Sequence, residues 1–303
     1  MCKCNSKYLS RLHIAAFLIA VTIFPVMLSA GESITWAEAD FPPIWILKGS
    51  DKGNGILDGL TSIYEKNLPE YEHHHTTANI ARILSMMKEG QNVCHAGILK
   101  STDRESFIYF SIPNAITSLH KIIVKKSRIN SLFGNSKDVS LEALLKNTNL
   151  KLGVSKSNSY GATIDKILEK YKEKDTILFR SGQDNHLGLL RMLKEERIDY
   201  MVGYPWEIDY IARQIDARDE IAVIDIKEIE GQQWTLSYVG CTKNEWGRRV
   251  IEKLNRILLK VRPNNEYLFH LLRWMPDSIR PELKKAYKER VLKVTEHKEK
   301  QIP

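Results

Sequence analysis

Apolar and polar positions follow one another in a strand–helix–strand order along the chain. In the first part, apolar runs of strand length enclose a segment with helical spacing at Ile80, Ile83, Leu84 and Met87. The predicted elements here are strands over 33–37, 71–75 and 93–98 and helices over 59–67 and 79–88. This order predicts an α/β fold with a largely parallel sheet.

The remaining chain repeats this pattern and then becomes helical. We expect strands over 121–125, 150–154, 177–179, 200–203, 221–226 and 237–241 and helices over 141–145, 162–171, 185–194, 246–261, 267–272 and 281–293. No Pro/Gly/Ser-rich linker divides the chain, so we expect a topological division: a first lobe over 31–120, a second over 121–232, and a return of 233–303 to the first. Two lobes joined by two crossovers enclose a cleft, which is a preferred ligand site.

The first thirty residues have the three parts of a secretory signal peptide. Basic residues precede an apolar run over 14–28, and small residues follow it. We expect residues 1–30 to be a signal peptide cleaved near Ala30, with an uncleaved anchor as the alternative. No later segment approaches membrane-spanning length, so the sequence predicts an exported, periplasmic protein.

The charge of the chain is only mildly basic. The formal net charge is +8, and removal of the signal takes away three basic and no acidic residues, which leaves +5. Much of the excess lies over 284–300, where basic residues alternate with acids as on a solvated helix face. A nucleic-acid interface would place basic residues among aromatic ones, so we expect no nucleic-acid partner.

Two cysteines remain once the signal has been removed. Cys2 and Cys4 lie before the apolar run, where no lipid-anchor cysteine would stand, and Cys94 and Cys241 belong to the mature chain. In an oxidising compartment an even pair is most simply a disulfide, and two buried thiols are the alternative. We expect Cys94 and Cys241 to be bonded.

The stretch Val93–Pro113 sets an arginine at the mouth of a buried strand. The strand breaks at Gly97, and helix N-cap residue types begin at Ser101, shortly before Arg104. Ligands of open α/β sheets bind at the carboxyl ends of strands, and an arginine there can hold a carboxylate through two parallel hydrogen bonds. We expect Arg104 to bind the ligand, with Gly97 and Ser101 beside it; a surface arginine in a loop is the alternative.

Several weak motifs occur in a characteristic order and spacing. They are Phe41-Pro42-Pro43, Gly55-Ile56-Leu57-Asp58-Gly59-Leu60, Gly97 through Arg104 with Phe110-Ser111-Ile112-Pro113, Leu152-Gly153-Val154 before Ser159-Tyr160-Gly161, Arg197-Ile198-Asp199-Tyr200, and Tyr238-Val239-Gly240 before Lys243. With them the mature chain resembles the type II periplasmic binding proteins, specifically the family 3 solute-binding proteins of polar amino acid ABC transporters. The resemblance implies a two-lobe fold in which each lobe is a mixed, mostly parallel sheet flanked by helices.

The resemblance also implies roles for individual residues. An arginine at the position of Arg104 clamps the ligand carboxylate in that family, and the turn over 157–161 supplies hydroxyl and backbone donors from the second lobe. The implied contacts are Ser159, Tyr160 and Gly161 from that turn and an aromatic ring from Phe41 or Trp45. Hinge or core packing is the alternative for these two rings.

Two positions depart from the family pattern. Leu99 stands where a serine or threonine is frequent, and it cannot donate to a carboxylate. Tyr204-Pro205-Trp206-Glu207 stands where an amino-acid binder often carries an aspartate for the α-ammonium; Glu207 would neutralise that group, or the rings would hold it by their faces. We expect Tyr204 and Glu207 to contact the ligand, and an amino acid is then only one of several candidate carboxylates.

Metal binding and catalysis have weaker support. His73, His74 and His75 cannot all bind one ion from a regular strand together with His95, because consecutive strand residues point to opposite faces. Ser159 and Ser181 lack a G-x-S-x-G context, and no H-E-x-x-H motif occurs. We expect no metal, no cofactor and no catalytic residue, and an enzyme on this scaffold, such as a dehydratase, is the least favoured alternative.

These expectations combine into one hypothesis. The sequence predicts a monomeric periplasmic solute-binding protein that closes around a small carboxylate-bearing ligand and serves an ABC permease. The alternative on the same fold is a ligand-sensing partner of a membrane receptor.

Overall fold

The computed structural model describes residues 32–134, 138–156, 159–181, 185–231 and 234–296. The signal peptide predicted over 1–30, its cleavage near Ala30, and Ser157 lie outside the described residues. In these described ranges no helix combines the length and the apolar character needed to span a membrane.

Strands and helices alternate through most of the described chain. The strands are β1 (Ser33–Glu38), β2 (Glu72–Thr77), β3 (Val93–Ile98), β4 (Ile108–Ser118), β5 (Lys121–Lys125), β6 (Asp138–Val139), β7 (Leu152–Ser155), β8 (Ile177–Arg180), β9 (Tyr200–Gly203), β10 (Ile221–Ile226) and β11 (Trp234–Thr242). The helices are α1 (Ile56–Lys66), α2 (Ile80–Lys88), α3 (Thr102–Glu105), α4 (Ile129–Phe133), α5 (Leu141–Lys146), α6 (Ala162–Tyr171), α7 (Asn185–Lys194), α8 (Pro205–Gln214), α9 (Glu245–Val261), α10 (Asn265–Leu272) and α11 (Arg280–Ala286), and a wider helical turn continues α11 over Tyr287–Leu292.

The first sheet has the strand order β2-β1-β3-β11-β4. Strand β1 pairs in parallel with β2 and β3, because α1 and α2 carry the chain back between them. Strand β11 returns from the far end of the chain and pairs antiparallel with both β3 and β4. The carboxyl ends of β1 and β3 therefore lie side by side at one edge of the sheet, and the loops that follow both strands begin there.

The second sheet has the order β6-β10-β5-β9-β7-β8. Its β9, β7 and β8 are parallel neighbours, whereas β10, β5 and β9 pair antiparallel. Both sheets are thus mixed, as the resemblance implied. The chain passes from β4 to β5 and returns from β10 to β11, which confirms the two crossovers.

Apolar residues on both faces of the first sheet explain why it is covered by helices. Ile34 and Trp36 of β1 pack with Leu60 of α1 on one face, in a core shared with α9, α10 and α11. On the other face Ala37 and Val93 pack against α2. The second lobe has its own cores, on either side of its sheet. We use "lobe one" and "lobe two" for each sheet with its helices.

A disulfide joins the two strands at the centre of lobe one. Cys94 of β3 and Cys241 of β11 are directly paired in register, and their sulfur atoms are bonded. The bond confirms the pairing expected from the cysteine count. It connects residues that are 147 positions apart, so it closes the return of the chain onto lobe one.

Two elements differ most from the sequence prediction. The predicted strands and helices omit β4, with 11 residues, and α8, with 10. Helix α1 begins at Ile56 rather than at 59, because the Asp58 carboxylate accepts hydrogen bonds from Gly55 N at 2.8 Å and Ile46 N at 3.1 Å and so caps the helix earlier. Strand β11 begins at Trp234 rather than at 237 because it pairs along the whole of β4.

Candidate functional site

Arg104 lies in the short helix α3, directly after the carboxyl end of β3. Ser101 is the N-cap of that helix, and its hydroxyl accepts a hydrogen bond from Arg104 N at 3.4 Å. The guanidinium Nη1 donates to the carbonyl oxygen of Leu99 at 2.7 Å. Burial lowers the pKa of Arg104, and neighbouring Asp103 opposes that shift. Gly97, in β3, faces Leu57, whose side chain a Cβ at this position would strike.

The Arg104 guanidinium lacks an acidic partner. Within the described chain no carboxylate lies within 4.0 Å of its nitrogens, and its only side-chain hydrogen bond is the one to Leu99. The neighbouring cation is different, because Lys100 forms an ion pair with Glu105 at 2.8 Å. A half-buried arginine with unused donors, beside a strand end, has the chemistry to bind an anion.

The loop after β1 presents two aromatic rings with different environments. Phe41 and Trp45 close a tight turn in which Phe41 N donates to Trp45 O at 3.2 Å and Trp45 N donates to Phe41 O at 3.1 Å. Trp45 is 2% exposed and belongs to the core of lobe one. Phe41 is only partly buried, so it is the ring of the two that reaches the surface of the lobe.

His95 connects the arginine to this loop. Its Nδ1 donates to the carbonyl of Ala37 at 2.6 Å, and its ring centroid lies 6.4 Å from that of Trp45. Burial lowers the pKa of His95, the hydrogen bond to Ala37 opposes the shift, and the positive charge of Arg104 adds to it. The arginine therefore lies within electrostatic reach of the residue beneath the aromatic loop.

The predicted polar residues of lobe two lie in the turn before α6. The Ser159 hydroxyl donates to Asp165 Oδ2 at 2.5 Å, Tyr160 N donates to Asp165 Oδ1 at 2.7 Å, and Gly161 N donates to Ser159 Oγ at 3.3 Å. Gly161 has φ of +94°, which suits glycine. The turn is thus ordered by Asp165, and none of these three residues hydrogen-bonds Arg104 in the described structure.

Five aromatic side chains form a continuous row between the lobes, which we call the aromatic row. Phe41 of lobe one lies edge-on to Trp206 at 5.7 Å between centroids, and Trp206 stacks on Tyr204 at 4.8 Å. Tyr204 lies on His120 at 3.7 Å, and His120 lies edge-on to Tyr160 at 5.0 Å. The row therefore joins predicted site residues from both lobes.

Two members of the aromatic row, His120 and Trp206, were not among the individual ligand contacts predicted from the sequence, although Trp206 was one of the rings considered there. His120 lies in the first crossover, between β4 and β5, and Trp206 lies in the first turn of α8. The Trp206 indole Nε1 donates to Thr117 Oγ1 of β4 at 2.9 Å, which fixes the ring against lobe one. The signal that would have placed Trp206 is Pro205, because a proline directly after a strand marks the first position of a helix.

The aromatic row is uncharged at neutral pH. Burial lowers the pKa of His120 to about 3, with a further contribution from His186, against a hydrogen bond involving Tyr160. Burial also raises the pKa of Tyr204, and the negative charges of Glu207 and Asp165 raise it further. Both rings are therefore neutral and present apolar faces.

Glu207 is held inside lobe two by His186. Glu207 is 4% exposed and His186 is 5% exposed, and His186 Nδ1 lies 2.5 Å from Glu207 Oε1. Burial alone would lower the pKa of His186, but the charge and hydrogen bond of Glu207 outweigh it, and the pKa is raised. Glu207 Oε2 is buried with no hydrogen-bond partner among the described residues.

The histidines of β2 have partners within lobe one. His73 accepts from the Trp36 indole at 3.2 Å, and His75 contacts Glu38 at 2.5 Å and Glu65 at 3.0 Å. Among the residues that the structure describes, no group of three His, Cys, Asp or Glu side chains is arranged to hold a metal ion.

The grooves on the surface of lobe one lie away from these residues. One of about 450 Å³ lies between the end of α1 and α9, and its lining includes Leu68, Arg256 and Leu259. It contains none of the predicted site residues. The candidate site is accordingly defined by the chemistry of Arg104 and of the aromatic row.

Comparisons with known proteins bear on the fold. No protein-family profile and no characterised protein matches the chain in sequence. Among solved structures, the chain is similar to the probable amino-acid ABC transporter extracellular-binding protein YtmK of Bacillus subtilis, with 17% identity, a TM-score of 0.60, and 82% of this chain and 98% of that chain covered.

Two further structures show the same similarity. An ancestral arginine-binding protein bound to arginine has 20% identity and a TM-score of 0.57 over 81% of this chain and 99% of that chain. A histidine kinase sensor domain with similarity to periplasmic binding proteins has 16% identity and a TM-score of 0.59 over 80% of this chain and 96% of that chain. At these identities the similarity establishes the fold, which is the two-lobe fold of periplasmic binding proteins.

Proposed function

We propose that this chain is a periplasmic solute-binding protein that captures a small carboxylate-bearing ligand between its lobes for an ABC transporter. The fold supports this proposal, because the solved structures that share it include binding proteins of amino acid transporters. On this proposal residues 31–120 and 233–303 form one lobe around the ligand and residues 121–232 the other. The protein acts as a binder and carries out no reaction.

The observation that carries the proposal is the unpaired Arg104. Its guanidinium is half-buried, lies at the carboxyl end of β3, and has no carboxylate partner in the described chain. Removing a cation from water without a counter-ion is costly, so such a group is retained where an anion binds. Phe41 and Tyr204 then provide partly exposed rings on either side of the cleft.

The proposal is tested by ligand screening of the mature chain. Amino acids, organic acids and short peptides are added singly, and the melting temperature is followed, because a ligand that binds only the native state raises it. Each hit is then titrated against Arg104→Ala by calorimetry. Loss of a charge-assisted, two-point contact is expected to weaken binding about 100-fold.

Arg82→Ala is the matched control. Arg82 lies on α2 of the same lobe, is exposed, and pairs with Glu89 at 3.2 Å, so its loss should leave affinity unchanged. Equal affinities of Arg104→Ala and the parent protein would show that Arg104 does not hold the ligand. If incubation with the protein converted a hit into a different compound, the protein would instead be an enzyme.

A sensing role is the second candidate, because a kinase sensor domain shares the fold at a similar TM-score. The two roles differ in the partner that binds the closed, ligand-bound form. Co-purification of the mature chain with membranes of its host, with and without a confirmed ligand, would distinguish them. Recovery of a permease supports transport, and recovery of a receptor or kinase supports sensing.

A further inference from the structure

The charges around the candidate site are unbalanced. Arg104 supplies a positive charge that no described carboxylate neutralises. The aromatic row lies between the lobes, and Phe41 and Tyr204 are partly exposed rings in it. A ligand that spans from the arginine to these rings meets one cation and then apolar surface.

The acids near the lobe-two wall already have partners, and the one oxygen among them without a hydrogen bond from a described residue, Glu207 Oε2, is buried. Asp165 accepts from the Ser159 hydroxyl and from Tyr160 N, and Glu207 is paired with His186 at 2.5 Å. The negative charges of both acids raise the pKa of Tyr204, so both carboxylates lie within electrostatic range of its hydroxyl. Because Asp165 orders the turn and Glu207 is only 4% exposed, neither offers an open carboxylate to a ligand ammonium.

The acids of lobe one near the loop after β1 are engaged as well, and Asp40, directly before Phe41, pairs with Lys48 at 3.3 Å. Asp58 caps α1 through Gly55 N and Ile46 N, and Glu38 contacts His75 at 2.5 Å. An ammonium brought into this site would therefore lose its hydration without gaining an anionic partner. A neutral, flat group would instead gain contact with the ring faces.

We infer that the site selects an aromatic monocarboxylate that carries no amino group, an inference that rests on the proposed function. The carboxylate binds Arg104, and the ring of the ligand packs against Phe41 and Tyr204. The missing α-amino group is the specific part of this inference, because it separates the ligand from the amino acids.

Paired probes that differ only in the amino group test this inference. The pairs are 3-phenylpropanoate with L-phenylalanine, 3-(4-hydroxyphenyl)propanoate with L-tyrosine, indole-3-propanoate with L-tryptophan, and 4-methylpentanoate with L-leucine. Calorimetry on the full mature chain should show an aromatic acid without the amino group binding at least about 10-fold more tightly than its amino acid and than 4-methylpentanoate.

Two variants connect that preference to the structure. Tyr204→Leu should reduce binding of the aromatic acid about 10-fold and leave that of 4-methylpentanoate unchanged, whereas Phe179→Leu, at an exposed ring of β8, should change neither. Glu207→Gln should leave the ratio within each pair unchanged. If Glu207→Gln weakened only the amino acids, Glu207 would be an ammonium site and the inference would be wrong.

The outcomes separate this inference from the proposed function. An amino acid that binds more tightly than its counterpart, and loses affinity in Arg104→Ala, overturns the inference and retains solute binding. An aliphatic acid that binds more tightly than the aromatic acids likewise overturns the inference and retains solute binding. If no probe of the panel binds, the inference is wrong, and the wider ligand screen decides the proposed function by itself.

Discussion

Arg262 is a second arginine of lobe one without an acidic partner, but its guanidinium makes four hydrogen bonds to backbone carbonyl oxygens. It is buried at the end of α9, and its guanidinium donates to the carbonyl oxygens of Pro113 at 2.6 Å, Val291 at 3.1 Å and Val294 at 2.9 Å. These contacts tie the C-terminal turn to β4. The contrast shows that an arginine without an acidic partner does not by itself indicate a ligand site. What distinguishes Arg104 is that most of its guanidinium donors are unused among the described residues.

Arg262→Met should therefore destabilise the protein without affecting binding. The carbonyl oxygens would remain buried without donors, at about 1–3 kcal/mol each, so we expect the free energy of unfolding to fall by about 3 kcal/mol. Urea denaturation measures the change. Arg256→Met, at an exposed position of the same helix, should change it by less than about 0.5 kcal/mol. Equal effects of the two substitutions would contradict a structural role for Arg262.

His120 should make stability depend on pH. Its pKa is lowered to about 3 by burial, whereas an unfolded histidine titrates near 6.5, so between these values the unfolded chain binds more protons. The free energy of unfolding then rises with pH in this window, by up to about 1.4 kcal/mol per unit from this residue, and is fully gained above pH 6.5. His186 contributes the opposite slope at higher pH: because its pKa is raised in the folded protein, its stabilisation is present below pH 6.5 and is lost as the pH rises above that value.

The variant His120→Phe isolates that contribution. Phenylalanine keeps a ring between Tyr204 and Tyr160 but takes up no proton. The difference in unfolding free energy between parent and variant, measured by urea denaturation from pH 4.5 to 7.5, should change with pH below 6.5 and be constant above. A difference that is constant throughout would show that His120 titrates normally in the folded protein.

At the scale of elements, the regular apolar patterns were sufficient for most of the fold. Strands β3, β5 and β9 and helices α6 and α7 have the bounds expected from their sequence. Their burial follows from local composition, since each has a strand-length apolar run or a helical stripe facing a sheet. The expected lobe boundaries and the ligand contacts remain predictions.

Strand β4 shows what local pattern could not reveal. It contains Pro113 and buried Asn114, which are unfavourable in a central strand. The proline is tolerated because β4 is at the edge of the sheet and its register with β11 shifts near Tyr238. Asn114 is tolerated because its Nδ2 donates to Ala96 O at 2.6 Å and to the Tyr64 hydroxyl at 3.1 Å. Both reasons are tertiary contacts.

Part of the candidate site, like most of the strands and helices, could be predicted from the sequence. Arg104 could be identified as a candidate from its position in the sequence, between a strand end and N-cap residues. The aromatic row was not, because it needs His120 from a crossover and Trp206 from α8 to meet in space. The sequence made Glu207 a candidate ligand contact. Its pairing with His186 could not be predicted, because the two residues are 21 positions apart in the chain.

The disulfide should contribute strongly to the stability of lobe one. Cys94 and Cys241 are 147 residues apart, so the bond restricts a long loop of the unfolded chain. For the double variant Cys94→Ala/Cys241→Ala we expect the free energy of unfolding to fall by about 2–5 kcal/mol. Urea denaturation tests this, and reduction of the parent protein should give a comparable loss. Unchanged stability in both experiments would argue against the bond.

At the scale of the whole molecule, each lobe contributes side chains to the other. Ile46, from the loop after β1, packs in a lobe-two core with Ile208, and Trp206 of α8 packs in the core of lobe one. Trp274, after α10, lies edge-on to Tyr210 of α8 at 5.0 Å. The described residues from 32 onwards accordingly form one compact unit.

The lobes should therefore unfold together. Calorimetry of the mature chain is expected to show a single transition, and Ile46→Ala, which empties part of the shared core, should lower the free energy of unfolding by about 2–5 kcal/mol while keeping one transition. Ile80→Ala, at a 41% exposed position of lobe one, is the control and should have little effect. Two resolved transitions in the parent protein would show that the lobes are independent.

The position of β11 sets the order in which the chain can acquire its structure during synthesis. Strands β5 to β10 are continuous in sequence, so lobe two can assemble as soon as they have left the ribosome. Strand β4 pairs only with β11 in the described chain, and it waits with both edges open until residue 242 has been made. A nascent chain thus depends on protection of that strand, and oxidation of Cys94 and Cys241 to the disulfide, by an oxidant of the compartment, marks a polypeptide whose lobe one has been completed.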